Sequence, residues 1–182
     1  RIEGSKRPDE TIIYSAHWDH LGVGLADASG DTIYNGAVDN ATGTAALIEI
    51  GRAFAHAPQP ERSVVFLNVT AEEKGLLGSE YYSSKPLYPL AKTVAVINMD
   101  ALDPFGVSRN FTTSGSAQSE LLDALIAEGK AAGMTYVSDR HPEAGYFSRD
   151  SDWVAELLPP GANVSRIYLD QYDDIDAARS LL

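Results

Sequence analysis

Apolar residues recur along the chain in two rhythms. Three short runs, Thr11 to Ala16 (TIIYSA), Arg62 to Val69 (RSVVFLNV) and Thr93 to Met99 (TVAVINM), are rich in β-branched and aromatic residues and predict buried strands. Between the first two, Leu47, Ile50 and Phe54 fall at helical spacing within Thr42 to His56, with Asn40 or Thr42 as cap and Pro58 beyond the end. After the third, Ser116 to Ala132 sets Leu121, Leu122, Leu125 and Ile126 on one helix face and stops at Gly133. Strands alternating with helices predict an α/β fold: a mainly parallel central sheet with right-handed crossovers, covered by helices on both faces as a three-layer sandwich. The Pro-containing tail after Asp139 carries no comparable pattern.

The 182 residues, 44% of them apolar, suffice for one hydrophobic core. Residues 1–182 read as a single catalytic domain without repeat, low-complexity tract or linker. The chain opens abruptly at Arg1, as a fragment of a longer precursor would, and Arg1 to Glu10 lack the pattern of a signal peptide. No apolar run approaches the roughly 20 residues of a membrane span. A formal net charge of −12 repels nucleic acid and attracts cations, including the protonated amino terminus of a peptide. With no cysteine in the chain, any metal must be held by His, Asp or Glu.

The residues of that kind gather at element ends. His17 and Asp19 follow the first predicted strand, Glu72 and Glu73 the second, and Asp100 the third, while Asp39 lies in the turn entering a helix. In an open α/β sheet, ligands bind in the crevice outside the carboxyl ends of the strands. Each residue taken alone has a plainer reading: His17 as a satisfied polar residue, the glutamate pair as a solvated helix start, Asp39 as a cap and Asp100 as a strand end. Four segments delivering metal-type side chains to one edge is a different matter. A metal-bound imidazole needs a partner on its other nitrogen, which a carboxylate such as Asp19 can supply, and adjacent carboxylates let one bind metal while its neighbour handles a proton.

The segments SAHWDHLG (15–22), NGAVDNATGTAAL (35–47), TAEEKGLLGSEYY (70–82) and INMDA (97–101) resemble, in order and spacing, the signature blocks of the two-zinc aminopeptidase family. That family includes bacterial secreted leucyl aminopeptidases and, more distantly, glutamate carboxypeptidase and glutaminyl cyclase. The resemblance implies a fold of the zinc exopeptidase type and two zinc ions. It implies that His17 and Asp100 bind one ion, that Asp39 bridges both, that Glu73 binds the second and that Glu72 is the general base, with Asp19 behind His17. Two such ions about 3.5 to 4 Å apart lower the pKa of a bound water from 15.7 towards ~7 and polarise the scissile carbonyl. A positioned base such as Glu72 contributes about 10² to 10⁴ in rate. The expected substrates are peptides with a free amino terminus, and the expected location is extracytoplasmic, secreted or periplasmic. The run Asp39-Asn40-Ala41-Thr42-Gly43 favours an aminopeptidase over a carboxypeptidase-like or deacylase-like zinc enzyme, with glutaminyl cyclase chemistry and a catalytically impaired metal-binding domain as the other readings.

The resemblance covers residues 11–105 and then weakens. Ser151 and Asp152 keep part of one further block, but the family's last zinc ligand is a histidine in a Tyr-His pair near the C-terminus, and no histidine follows His141 in these 182 residues. Tyr172 and Asp173, with Asp176 downstream, are the nearest counterpart. This predicts a second zinc site short of one ligand, and so one firm and one weak ion. His20 has no counterpart in the family's ligand set, His56 reads as a residue at a helix C-terminus and His141 as a loop residue. Neither the preferred N-terminal residue nor the oligomeric state follows from the sequence.

Overall fold

The computed structural model describes residues 1–102, 106–113 and 120–137. These fall into two compact units, residues 1–102 in the first and residues 106–113 and 120–137 in the second. His141, Ser151, Asp152, Tyr172, Asp173 and Asp176 lie outside the described residues.

The first unit runs β1 (Arg7–His17), β2 (Gly22–Val23), β3 (Ile33–Tyr34), α1 (Ala41–His56), β4 (Arg62–Val69), α2 (Leu77–Ser84), a 3-10 turn (Leu90–Lys92) and β5 (Thr93–Asn98). Its main sheet has the order β4-β1-β5, and both pairings are parallel. The three strands are the three apolar runs of the sequence, and the mainly parallel α/β architecture expected from their alternation with helices is the one observed. Register runs from Thr11↔Ser63 to His17↔Val69 on one side of β1 and from Ile12↔Ala95 to Ser15↔Asn98 on the other. As the central strand, β1 contributes the fully buried Ile13 and Ala16, which join Val64 and Val65 of β4 and Leu47 of α1 in the core.

Helix α1 is anchored at both ends. Near its C-terminus, Phe54 meets Tyr14 and Phe66, a cross-strand pair, with all three ring centroids 6.1–6.2 Å apart. Such aromatic pairs contribute about 0.5–1.5 kcal/mol each beyond the area they bury. At its N-terminus Asn40 is the cap, its Oδ1 accepting from Gly43 N at 3.0 Å. The same side chain donates from Nδ2 to Met99 O at 3.0 Å and accepts from Ala101 N at 3.2 Å. One buried amide thus ties the start of α1 to the end of β5. Gly43 is what permits the approach, because a Cβ there would lie 2.5 Å from Asn40 Oδ1 and 2.6 Å from Met99 O.

In the second unit β6 (Asn110–Phe111) pairs in parallel with β7 (Thr135–Tyr136), and α3 spans Glu120–Ala131. The predicted stop at Gly133 is present: φ is +78° there, and Gly133 N donates to Lys130 O. Among the described residues no helix is long and apolar enough to cross a membrane.

Candidate metal centre

Parallel strands end on the same edge, so the residues that follow β1, β4 and β5 come together. His17 is the last residue of β1 and Trp18 N donates to Val69 O, the last residue of β4. Met99 N donates to Ser15 O, which carries β5 to Asp100 alongside β1. Asp39 arrives from the other direction, one residue before the Asn40 cap, and the Asp39–Asn40 peptide is cis. Two non-glycine residues with positive φ flank this edge, Ala71 at +56° just before Glu72 and Ala101 at +45° just after Asp100. Backbone of this kind costs on the order of 1–3 kcal/mol per residue and is concentrated at functional sites.

His17 is 2% exposed. Its Nδ1 lies 3.0 Å from the backbone carbonyl of Asp19, so an Nδ1–H donates there and the neutral ring presents the lone pair of Nε2 to the crevice. That nitrogen faces Asp39 Oδ1 at 2.9 Å and Asp100 Oδ1 at 3.2 Å. Asp39 Oδ1 is buried and has no hydrogen bond of acceptable geometry despite that proximity, an orphaned oxygen of the sort a cation would satisfy. On the other side, His20 Nδ1 lies 2.9 Å from Glu73 Oε1. The donor atoms of His17, Asp39 and Asp100 all fall within 4.8 Å of one another, and so do those of His20, Asp39 and Glu73. Asp39 belongs to both groups.

Electrostatics follow from crowding carboxylates in a partly desolvated edge. Burial disfavours a charged His17, but Asp100, Asp39 and Glu72 outweigh it and raise its pKa above the ordinary imidazole value. Burial raises the Asp100 carboxyl, with Asp39 and Glu73 adding to the rise against the pull of His17. Glu72 is raised in the same way, by burial and then by Asp100, Glu73 and Asp39, while His17 opposes. A carboxylate moved upward towards neutrality is better matched to accepting and returning a proton.

His17, Asp19, Asp39, Glu72, Glu73 and Asp100 all reach this edge. His17, Asp39 and Asp100 form one donor group, Glu73 joins Asp39 in the other, and Glu72 stands within their field. Asp19 divides its work: its carbonyl contacts His17 Nδ1, and its carboxylate lies 3.7 Å from that nitrogen and accepts from Glu72 N at 3.2 Å. His20, to which the sequence assigned no role, completes the group around Glu73. Its signal was available in the block HWDH, three residues after His17, for a ligand count that looked inside the matched blocks and not only downstream of them. A pocket of about 380 Å³ adjoins the edge, with Trp18, His20, Asn40, Ala45 and Ile48 among its walls.

The nitrogen and oxygen donors, the absence of cysteine and the orphaned Asp39 oxygen all fit a hard-to-borderline divalent ion such as zinc. Peptidase family M28 matches residues 1–172, and the chain belongs to that family. A probable zinc metalloprotease of Pyrenophora tritici-repentis (strain Pt-1C-BFP) is 34% identical over 99 residues, 54% of this chain and 22% of its own length. The aminopeptidase NAALADL1 of Mus musculus is 36% identical over 105 residues, 54% of this chain and 12% of its own length. A probable zinc metalloprotease of Pyrenophora teres f. teres (strain 0-1) is 27% identical over 178 residues, covering 94% of this chain and 36% of its own length. The chain therefore spans well under half the length of these curated relatives.

Proposed function

We propose that the protein is a zinc-dependent hydrolase that cleaves the peptide bond at the amino terminus of peptides, with Glu72 as general base. The observation that carries this reading is the pair of donor groups sharing the buried Asp39 at the carboxyl edge of the sheet, with Glu72 beside them. His17 and Asp100 would hold one zinc ion and Glu73 would contribute to the second, with Asp39 within reach of both groups. When bound, the ions supply Lewis acidity and lower the pKa of the attacking water.

The rest is the work of side chains. Glu72 takes a proton from the water as its oxygen adds to the scissile carbonyl, and returns it to the departing amine; the second proton of the water follows to the amine, so that one water and one peptide bond become a carboxylate and a protonated amine. Asp19 holds the Glu72 backbone N–H and, through its carbonyl, the tautomer of His17. The protonated α-amino group of a substrate is favoured at a carboxylate-rich edge in a chain of net charge −12. The pocket beside His20, with Trp18 and Ile48 in its walls, has room for a side chain next to the reacting bond. The names of the relatives, zinc metalloprotease and aminopeptidase, agree with this assignment. By family resemblance we also propose a location outside the cytoplasm, secreted or periplasmic, which cell fractionation tests.

Zinc-loaded protein should release the amine from leucyl amide substrates and leave the N-acetylated forms intact. Equal turnover of blocked and free substrates would refute the amino-terminal restriction, and cyclisation of a glutaminyl peptide without hydrolysis of the leucyl one would refute the reaction class.

A further inference from the structure

We propose that His20 is a ligand of the second metal ion. The inference rests on the reading above, in which the edge holds two ions, and changes what is expected of the second. Among the described residues, the resemblance assigns Asp39 and Glu73 to that ion. The structure adds a third donor: the ligand atoms of His20, Asp39 and Glu73 lie within 4.8 Å of one another, the same compactness as His17, Asp39 and Asp100. Three protein ligands are the usual complement of a catalytic zinc, whereas two are too few for firm binding.

The position of His20 is built, not incidental. Its side chain is 7% exposed and that of Glu73 11%, so the contact is largely shielded from water. It reaches the edge because β1 ends at His17 and the following turn is pinned at Trp18 N to Val69 O. Gly36, with φ of +64°, then lets the strand-to-helix loop pass close against it: a Cβ on Gly36 would lie 2.7 Å from His20 Cβ and 2.9 Å from Asp39 O. One glycine thus packs the backbone of the bridging aspartate against the base of the His20 side chain. The charge balance points the same way. Asp19, Asp39, Glu72, Glu73 and Asp100 bring five carboxylates to an edge with two imidazoles. A cation between His20, Glu73 and Asp39 offsets the excess negative charge.

The inference reverses the expectation of one firm and one weak ion. It is tested by titrating the metal-free full chain with zinc, by calorimetry and by competition with a chromophoric chelator, in the parent protein and in His20→Ala. The expected result is two zinc ions per chain for the parent. For His20→Ala, one ion should keep its affinity and the other weaken at least about 100-fold, more than the loss seen when residues behind a ligand are removed. His20→Gln, which fills the same space without an imidazole, should show the same loss while keeping the thermal unfolding profile of the metal-free parent, so a folding defect is separable from a missing ligand. Cobalt-loaded protein gives an independent readout, since removing an imidazole alters the d–d absorption of one ion only. Two sites unchanged in both variants, or a single site in the parent, would overturn the role of His20 while leaving zinc-dependent hydrolysis standing. A parent that binds no zinc would remove the functional reading itself.

Discussion

Glu72 and Glu73 are adjacent in sequence and stand in different surroundings. Glu73 is held 2.9 Å from His20 in a donor group, whereas the Glu72 carboxyl, raised by burial and neighbouring negative charge, is tuned for a proton. Replacing Glu72 by Gln should leave zinc content near normal and lower kcat by at least about 10². Metal analysis beside steady-state kinetics checks this, and loss of zinc in that variant would exchange the two roles. His17 yields a pH prediction. In the metal-free protein the folded state binds the His17 proton more tightly than the unfolded chain, whose pKa is about 6.5. The stabilisation is complete below that value and lost as pH rises through the folded pKa, and the raised Asp100 and Glu72 act in the same direction. The Tm of metal-free protein should therefore fall as pH rises above about 6.5. His17→Asn should show a smaller fall, and saturating zinc should suppress it, because the ligand nitrogen must be deprotonated to bind metal.

At the scale of elements, Asp39 is positioned by a helix start. Asn40 caps α1 and bonds Met99 O and Ala101 N, so the residues on either side of it in space, Asp39 and Asp100, move together. Gly43→Ala puts a methyl group against both Asn40 Oδ1 and Met99 O. It should cost at least the roughly 0.5–2 kcal/mol of a lost N-cap and weaken zinc binding, although residue 43 is no ligand. Denaturant unfolding and zinc titration on the same variant test both effects. The elements also show what was legible in the sequence. The strands and α1 were, because burial on a parallel sheet demands continuous apolar runs and a helix demands spacing. The first residues of β1 were not: Arg7–Glu10 are polar, and their pairing is supported by ion pairs such as Arg7 with Glu61 at 3.0 Å, which hydrophobic pattern does not register. The short β2–β3 ladder, two residues on each strand, carries no periodicity to read. His20 was passed over for a related reason. Its place in a donor group depends on Glu73 and Asp39 arriving from other segments, which no local spacing registers.

At the scale of the molecule, three parallel strands turn scattered carboxylates and imidazoles into one edge, and the net charge of −12 surrounds that edge with a field suited to cations. Raising ionic strength should therefore raise KM for substrates with a free amino terminus more than it changes kcat, because screening weakens encounter and not chemistry. The central claim is that catalysis belongs to metal held at this edge. It is tested most directly by titrating zinc into the metal-free protein while following hydrolysis of a leucyl amide. Activity should be absent without metal, rise with added zinc and saturate once both donor groups around Asp39 are filled, at two equivalents per chain. Full turnover by metal-free protein in the presence of a strong chelator would contradict the account.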